Sequence, residues 1–460
     1  MPDAEALDTF ERLEAPAPTP AVGPLTRPEM LLAMRRNMLA LYGRDAFRQM
    51  TMAGPFFGQR SVFTNDPVGI KRVLVENSEN YTRTPATFRI LRPMLGEGLF
   101  LSEGEQWRFQ RRTLAPAFTP RAMRIVARTT AEVLDQEVRR LKAEAVGAFD
   151  LMPMIQRLAI EVAGRAMFST AMERRGPQLR KLFETYGRDY GAPFPSDILL
   201  PASVPGPAEL IRRRQGRRWL DFIQAMVETR KRMPREGARR DLFDLMAEAR
   251  DPETGRGFEL DELRDQFATF IIAGHETTAL TVLWAFIMLA RAPRLQAAVA
   301  REAATRDLSA EGAPDAVADL PLTRAVVDES LRLFPPAFLI VREARGDDEV
   351  AGEKVAAGDL VSIAPWVLHR HEAYWDQPNV FDPTRFLPAA KAPAKYTYMP
   401  FGAGPRVCIG AQFALTEATL AVARTLRDVE LRIVDDVAIE PLAVVTTYPN
   451  PIPLFEVRPR

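Results

Sequence analysis

Apolar residues recur at three- and four-residue spacing along most of the chain, which predicts a mainly helical protein. Thr119–Ala145 is the clearest case, and Leu151–Thr170, Leu210–Arg232 and Ala411–Arg427 share the pattern. A longer helical run extends from about Glu259 to Arg291, roughly 50 Å at 1.5 Å per residue. Short strand-like runs occur at Phe56–Thr64, Phe338–Arg342, Leu360–Ala364 and Val444–Tyr448. Two apolar stretches, Arg83–Leu101 and Gly191–Pro207, are broken by proline and glycine. They read as long loops, and long apolar loops in a compact domain usually serve as functional lids.

Composition adds little to this picture but closes off some functions. With 47% hydrophobic and 26% charged residues and a net charge of +1, the chain has an ordinary globular make-up. It offers no argument for nucleic acid. The basic run Arg212–Arg218 reads as a solvated helix face. Residues 1–25 are acidic, then rich in proline and alanine, and are expected to form a flexible tail without a signal sequence. No stretch of about 18 uninterrupted apolar residues predicts a membrane span. A single cysteine among 460 residues cannot form an internal disulfide, which suggests a cytoplasmic setting.

That cysteine is the strongest chemical signal. Cys408 lies in "FGAGPRVCIG", with Gly402, Gly404 and Gly410 around it and Arg406 two residues before it. Glycine permits tight bends and close approach to a flat group. A helix beginning just after the cysteine would favour a thiolate. One thiolate does not make a zinc site, which needs about four ligands. It suits a single axial bond to haem iron.

The segment resembles the haem-binding signature of the cytochromes P450, F-x-x-G-x-R-x-C-x-G, at Phe401, Gly404, Arg406, Cys408 and Gly410. Further family patterns follow in order along the chain. Trp107 and Arg111 fit W-x-x-x-R and share a helix face at i, i+4. Glu329 and Arg332 fit E-x-x-R, and "FDPTRF" supplies Arg385, with Thr384 where the family usually has glutamate. "AGHETT" fits the oxygen-side helix pattern through Ala273, Gly274, Glu276, Thr277 and Thr278. The resemblance covers about residues 50–460.

It implies a mainly α fold with small β-sheets, a single haem domain over 26–460, and Cys408 as axial ligand of haem b (iron protoporphyrin IX). Trp107, Arg111, Arg342 and Arg406 would hold the propionates, and Glu329, Arg332 and Arg385 would form a structural ion network. Glu276 and Thr277 would be the catalytic pair, delivering protons for O2 activation. Thr277 can bond back to the Ala273 carbonyl and bend the helix. His275 is a poor ligand candidate, since the cysteine already fills the axial role.

By position in such a fold, the substrate pocket would include Phe88, Leu91, Met94, Leu99, Phe267, Phe270, Ile271, Phe338, Leu339, Ile340 and Thr447, with contacts from Phe183–Pro207. Arg89 and Arg92 are the charges that could hold a carboxylate. The resemblance implies a monooxygenase acting on an apolar small molecule: a fatty acid, fatty alcohol, terpenoid or steroid. No flavin or iron–sulfur pattern is present, so NAD(P)H electrons would arrive through a ferredoxin or flavodoxin with a reductase. Arg108, Arg112 and Arg124 could face such a partner. The protein is expected to be a monomer. A peroxide-driven peroxygenase, a haem sensor and a thiolate-ligated isomerase or dehydratase are the alternatives. None of them needs the Glu276–Thr277 pair.

Overall fold

Proline opens many of the long helices. In the computed structural model, which describes residues 10–21, 23–168, 172, 175–200, 204–233, 241–435 and 437–460, Pro85, Pro120, Pro207, Pro293 and Pro321 each stand at the first helical position. There the missing N–H is no loss and the fixed φ suits the helix. The described helices of ten residues or more are α1 (Arg27–Arg36), α2 (Pro85–Leu95), α3 (Gly104–Leu114), α4 (Pro120–Glu144), α5 (Met152–Phe168), α6 (Gly176–Tyr190), α7 (Pro207–Arg232), α8 (Leu260–Ala290), α9 (Pro293–Ala304), α10 (Pro321–Leu333) and α11 (Ala411–Asp428).

Helix α8 is the axis of the fold. It is long and apolar enough to cross a membrane, but its neighbours bury most of it, with Phe267, Leu283, Trp284 and Ile287 fully enclosed. A helix apolar on all sides belongs in a core. It packs on α5, α7, α10 and α11. The ring of Trp284 stacks on Phe334, with centroids 3.8 Å apart, and its Nε1–H donates to the carbonyl of Thr447. One indole thus ties α8 to the end of α10 and to the strand Thr447–Asn450.

A second, smaller core lies against a five-stranded sheet ordered Thr51–Phe56, Gln59–Thr64, Leu360–Ile363, Ile340–Ala344, Tyr81–Thr82. Gln59–Thr64 runs parallel to Leu360–Ile363, and the other pairings are antiparallel. This sheet places Arg342 near Arg83 and Arg406, described below.

Several expectations are corrected. Arg83–Leu101 is not a long loop, since Pro85–Leu95 is helical with Pro93 inside it. The Thr84 hydroxyl caps this helix by accepting from Thr87 N–H. Gly191–Pro207 contains a short helix, Pro195–Leu199, and residues 201–203 of it lie outside the described residues. Within the expected tail, residues 1–9 and 22 lie outside the described residues. Leu13–Glu14, however, pair antiparallel with Val380–Phe381, and Glu11 accepts from the first N–H groups of α9. In the basic run, Arg212 is fully buried and paired to Asp197 at 2.8 Å, so this residue is not a solvated charge.

The α2–α7 crossing depends on Gly216, where a Cβ would lie 2.0 Å from the carbonyl oxygen of Pro93. Backbone cannot yield there as a flexible side chain can. Gly216→Ala is therefore expected to destabilise the fold by about 1–3 kcal/mol, as overpacking does. A thermal or urea melt indistinguishable from wild type would contradict this packing.

Candidate active site

The loop before α11 is shaped by its glycines. Gly404 has φ +73°, and a Cβ there would sit 1.9 Å from the carbonyl oxygen of Leu74, so no other residue fits. The loop turns back so that Cys408 N–H donates to the carbonyl of Phe401 at 2.9 Å. Upstream, Met399 N–H donates to Nε2 of buried His369, whose Nδ1 faces the carbonyl of Arg332. His369 therefore fastens the loop to α10, and burial holds its pKa down to about 3. As expected, α11 starts just after the cysteine, at Ala411.

Cys408 lies on the wall of a cavity of about 2380 Å³. Its sulfur is open to that cavity, yet enough protein surrounds it for burial to raise the thiol pKa. The Gly410 N–H and the Arg111 guanidinium pull the other way. A thiol raised by burial stays protonated on its own and would ionise on binding a metal cation.

Along α8, Phe270, Ala273, Gly274 and Thr277 line the same cavity. A Cβ on Gly274 would meet nothing within 4 Å, so the backbone here is open to a flat group. The Thr277 hydroxyl donates to the carbonyl of Ala273 at 2.6 Å, as its position predicts. Glu276 also borders the cavity. Burial raises its carboxyl to about 7, opposed by a hydrogen bond from Thr446. His275 is buried in the helix, where burial lowers its pKa to about 4.

Among the arginines that border the cavity are Arg83, Arg111, Arg342 and Arg406. Glu103 pairs with Arg83 at 2.9 Å and with Arg406 at 2.5 Å. No carboxylate pairs with Arg111 or Arg342 among the described residues. Burial and the neighbouring cations Arg83 and Arg406 lower Arg342 to about 9, and burial and Arg83 lower Arg406 to about 10. The Arg406 guanidinium also lies over the Trp107 ring, 4.5 Å from its centroid. These four cations share one carboxylate, Glu103, and the excess positive charge suits a ligand that carries carboxylates. This donor set suits a dicarboxylate macrocycle with a metal centre: Cys408 could hold the metal, the guanidiniums could hold the carboxylates, and Gly274 would leave room for a flat group beside α8. Sequence reasoning missed Arg83 and Glu103. Glu103 is the N-cap residue four positions before Trp107, a detectable signal, whereas nothing in its spacing marks Arg83.

Of the expected pocket residues, Leu91, Met94, Leu99, Phe270, Phe338, Leu339 and Ile340 line the cavity, and Phe88, Phe267, Ile271 and Thr447 do not. Phe88 lies under the Arg92 guanidinium. Phe267 and Ile271 are on another face of α8, where Phe267 packs on Phe168 and Phe243. Thr447 donates its hydroxyl to the carbonyl of Pro335, while its neighbours Thr446 and Tyr448 face the cavity. Strand alternation explains the exchange. Arg89 is buried and donates to the carbonyls of Ser196, Asp197, Leu200 and Val204. Arg92 pairs with Glu97. Neither lines the cavity, so neither is placed to hold a substrate carboxylate.

The ion network has the expected members. Glu329 and Arg332 are fully buried and 2.7 Å apart, and Arg385 approaches Glu329 at 3.6 Å. The possible partner-facing arginines are each neutralised within the chain: Arg108 by Glu79 and Glu105, Arg112 by Asp251 and Glu253, Arg124 by Asp315.

A largely apolar cavity with one thiol on its wall and an acid–alcohol pair on a neighbouring helix suits oxidation of an apolar small molecule. Comparison with known proteins agrees: the Cytochrome P450 family profile matches residues 36–452. The chain belongs to the cytochrome P450 family. It is 32% identical to cyclooctat-9-en-7-ol 5-monooxygenase of Streptomyces melanosporofaciens over 79% of both chains. It is 30% identical to pentalenene oxygenase of Streptomyces avermitilis, covering 85% of this chain and 83% of that one. The crystal structure of a cytochrome P450 (CYP102L1) superposes with a TM-score of 0.77 at 25% identity, over 91% of this chain and 93% of that one. The protein is a monooxygenase acting on an apolar small molecule, and its family implies haem, O2 and redox partners.

Proposed function

We propose that this protein hydroxylates a cyclic terpenoid, using haem b held by Cys408 and electrons from NAD(P)H delivered through a ferredoxin or flavodoxin. The observation that carries the reading is one cavity bordered at once by Cys408, Thr277 and the arginines Arg83, Arg111, Arg342 and Arg406. The relatives named for cyclooctat-9-en-7-ol and pentalenene favour a terpenoid over a fatty acid, as does the lack of a cavity-facing charge at Arg89 or Arg92. A cytoplasmic, monomeric, single-domain enzyme over residues 26–460 is part of the same reading.

Cys408 would ligate the iron, and Trp107, Arg111, Arg342 and Arg406, joined by Arg83, would hold the two propionates. The bound haem supplies the redox-active iron at which O2 is reduced. The chain's own residues then set the conditions. Apolar side chains from α2 and α8 hold the substrate and exclude water. Thr277 holds a hydroxyl at the oxygen side, and Glu276, protonated near neutrality, brings protons to it.

The sign of the pH effect follows from burial. A carboxyl raised to about 7 is increasingly ionised as pH rises through that value. Product formed per NAD(P)H is therefore expected to fall above pH 7. Glu276→Gln removes this step and lowers turnover by about 10²-fold or more. The same shift withdraws stability as pH rises from the unfolded value toward 7, so the variant melts higher than wild type at pH 8. A pH profile unchanged by the substitution would remove Glu276 from proton delivery.

The reading as a whole is tested by the reduced, carbon monoxide-treated spectrum, followed by product analysis on a panel of cyclic terpenes with ferredoxin and reductase. A strongly red-shifted Soret band and a mono-oxygenated product are expected. A peroxygenase would turn over with peroxide and not with reduced ferredoxin.

A further inference from the structure

Helix α7 turns two aliphatic side chains outward. Leu210 and Ile211 are 59% and 47% exposed, and Val204, just before the helix, and Leu32 of α1 are exposed as well. The helical repeat accounts for the first two. Ala208, Arg212, Gly216 and Trp219 form the buried stripe of α7. Leu210, Ile211, Arg214, Arg217 and Arg218 therefore fall together on the opposite, exposed side. Helices α1 and α7 meet at one ring. Phe194 lies under the Arg35 guanidinium of α1 at 4.5 Å and under that of Arg212 at 5.3 Å. Leu25, Met30, Arg35, Arg36, Leu200 and Val445 line the cavity, and Arg35, Arg36 and Val445 are also exposed. The cavity thus reaches the surface beside α1. Arg213 is paired with Glu209 at 2.6 Å, but no carboxylate pairs with Arg35, Arg36, Arg214, Arg217 or Arg218 among the described residues.

We propose that this face docks reversibly on an anionic lipid bilayer, with Leu210, Ile211 and Leu32 entering the headgroup layer and the free arginines meeting lipid phosphates. Charge selects the occupant. A second copy would set arginines against arginines. A nucleic acid would meet the arginines but leave the aliphatic side chains without a partner. A helix face that joins exposed aliphatic residues to arginines is the pattern that lies on membranes. Each arginine near an anionic surface strengthens binding about fivefold. An apolar substrate concentrates in the bilayer, and a cavity mouth next to the docked face admits it from there. The proposal adds a partner to the monooxygenase and does not depend on the substrate being a terpenoid.

The test sediments the haem-loaded protein with vesicles of phosphatidylglycerol and phosphatidylcholine in equal parts, and with phosphatidylcholine alone, at about 0.1 M salt. Wild type is expected to bind the anionic vesicles much more tightly than the neutral ones, and less as salt rises. The double change Arg214→Glu with Arg217→Glu lowers binding about 25-fold or more. Leu210→Ser with Ile211→Ser lowers it about tenfold. Arg432→Glu with Arg458→Glu alters net charge equally on the strands Val429–Ile433 and Phe455–Pro459, and lowers binding far less. All the substituted side chains are exposed, and the carbon monoxide spectrum of each variant reports on its fold and on the haem–thiolate reading separately. Wild type that ignores anionic vesicles overturns the proposal. So does equal loss in the two arginine variants, or a concentration-dependent dimer that Leu210→Ser with Ile211→Ser abolishes while vesicle binding is unchanged.

Discussion

Cys408→Ser abolishes the red-shifted carbon monoxide band and reduces O2-dependent product formation to background. Among the substitutions considered, this one has the largest expected effect on activity, because the chain has no second thiol to take over. The physical case rests on three features of the loop. Cys408 N–H is fixed to the Phe401 carbonyl, so the side chain points into the cavity and not along the loop. Gly410 N–H and Arg111 both favour negative charge at the sulfur, though burial outweighs them in the protein alone. A serine hydroxyl keeps the loop geometry but titrates far above a thiol and gives up much less electron density, so it cannot replace the thiolate's push toward O–O cleavage. The loop hydrogen bonds use backbone atoms and His369, so the variant should melt close to wild type. A variant that folds, keeps the red-shifted band and still hydroxylates would mean that the sulfur of residue 408 is not the ligand.

Much of this site was legible because its chemistry needs fixed spacing on regular elements. Cys408 with Gly404 and Arg406, Thr277 four residues after Ala273, and Arg332 three after Glu329 are local patterns, and the chain places each as its pattern predicts. What stayed hidden depends on which way a residue faces. Phe267 and Ile271 share α8 with Thr277 but are buried away from the cavity, Phe267 against Phe168 of α5, and a helix apolar on every side gives no periodicity to tell the faces apart. Thr447 and its neighbours exchange roles through a strand pleat only one residue out of phase. Arg212 looked solvated within a run of arginines, but its partner Asp197 lies fifteen residues away on a separate segment. Pro93 inside α2 suggested a loop, yet the Thr84 cap and the packing on α7 keep the helix. Tertiary contacts decided all four, and a linear pattern does not carry them.

Arg332→Gln has the largest expected effect on stability. The Arg332 guanidinium is fully buried and reaches five acceptor sites: both oxygens of Glu329 and the carbonyls of His369, Pro378 and Val380. Those carbonyls belong to the segment that leads to the cysteine loop, and His369 in turn accepts from Met399 N–H. Removing the guanidinium leaves Glu329 as a buried charge with only the Asp382 N–H and a distant Arg385 to oppose it. Breaking a buried pair from one side costs about 3–5 kcal/mol. Glu329→Gln should cost less, because Arg332 keeps its three carbonyls and the amide oxygen can still accept. The asymmetry also predicts function. With Arg332 gone, the tether from α10 through His369 to the loop weakens, so the haem-to-protein ratio of purified Arg332→Gln should fall well below that of Glu329→Gln. Urea melts and haem quantification on the two variants decide the matter. Equal destabilisation by both, with full haem content, would show that the carboxylate, and not the guanidinium's grip on the three carbonyls, holds this side of the site together.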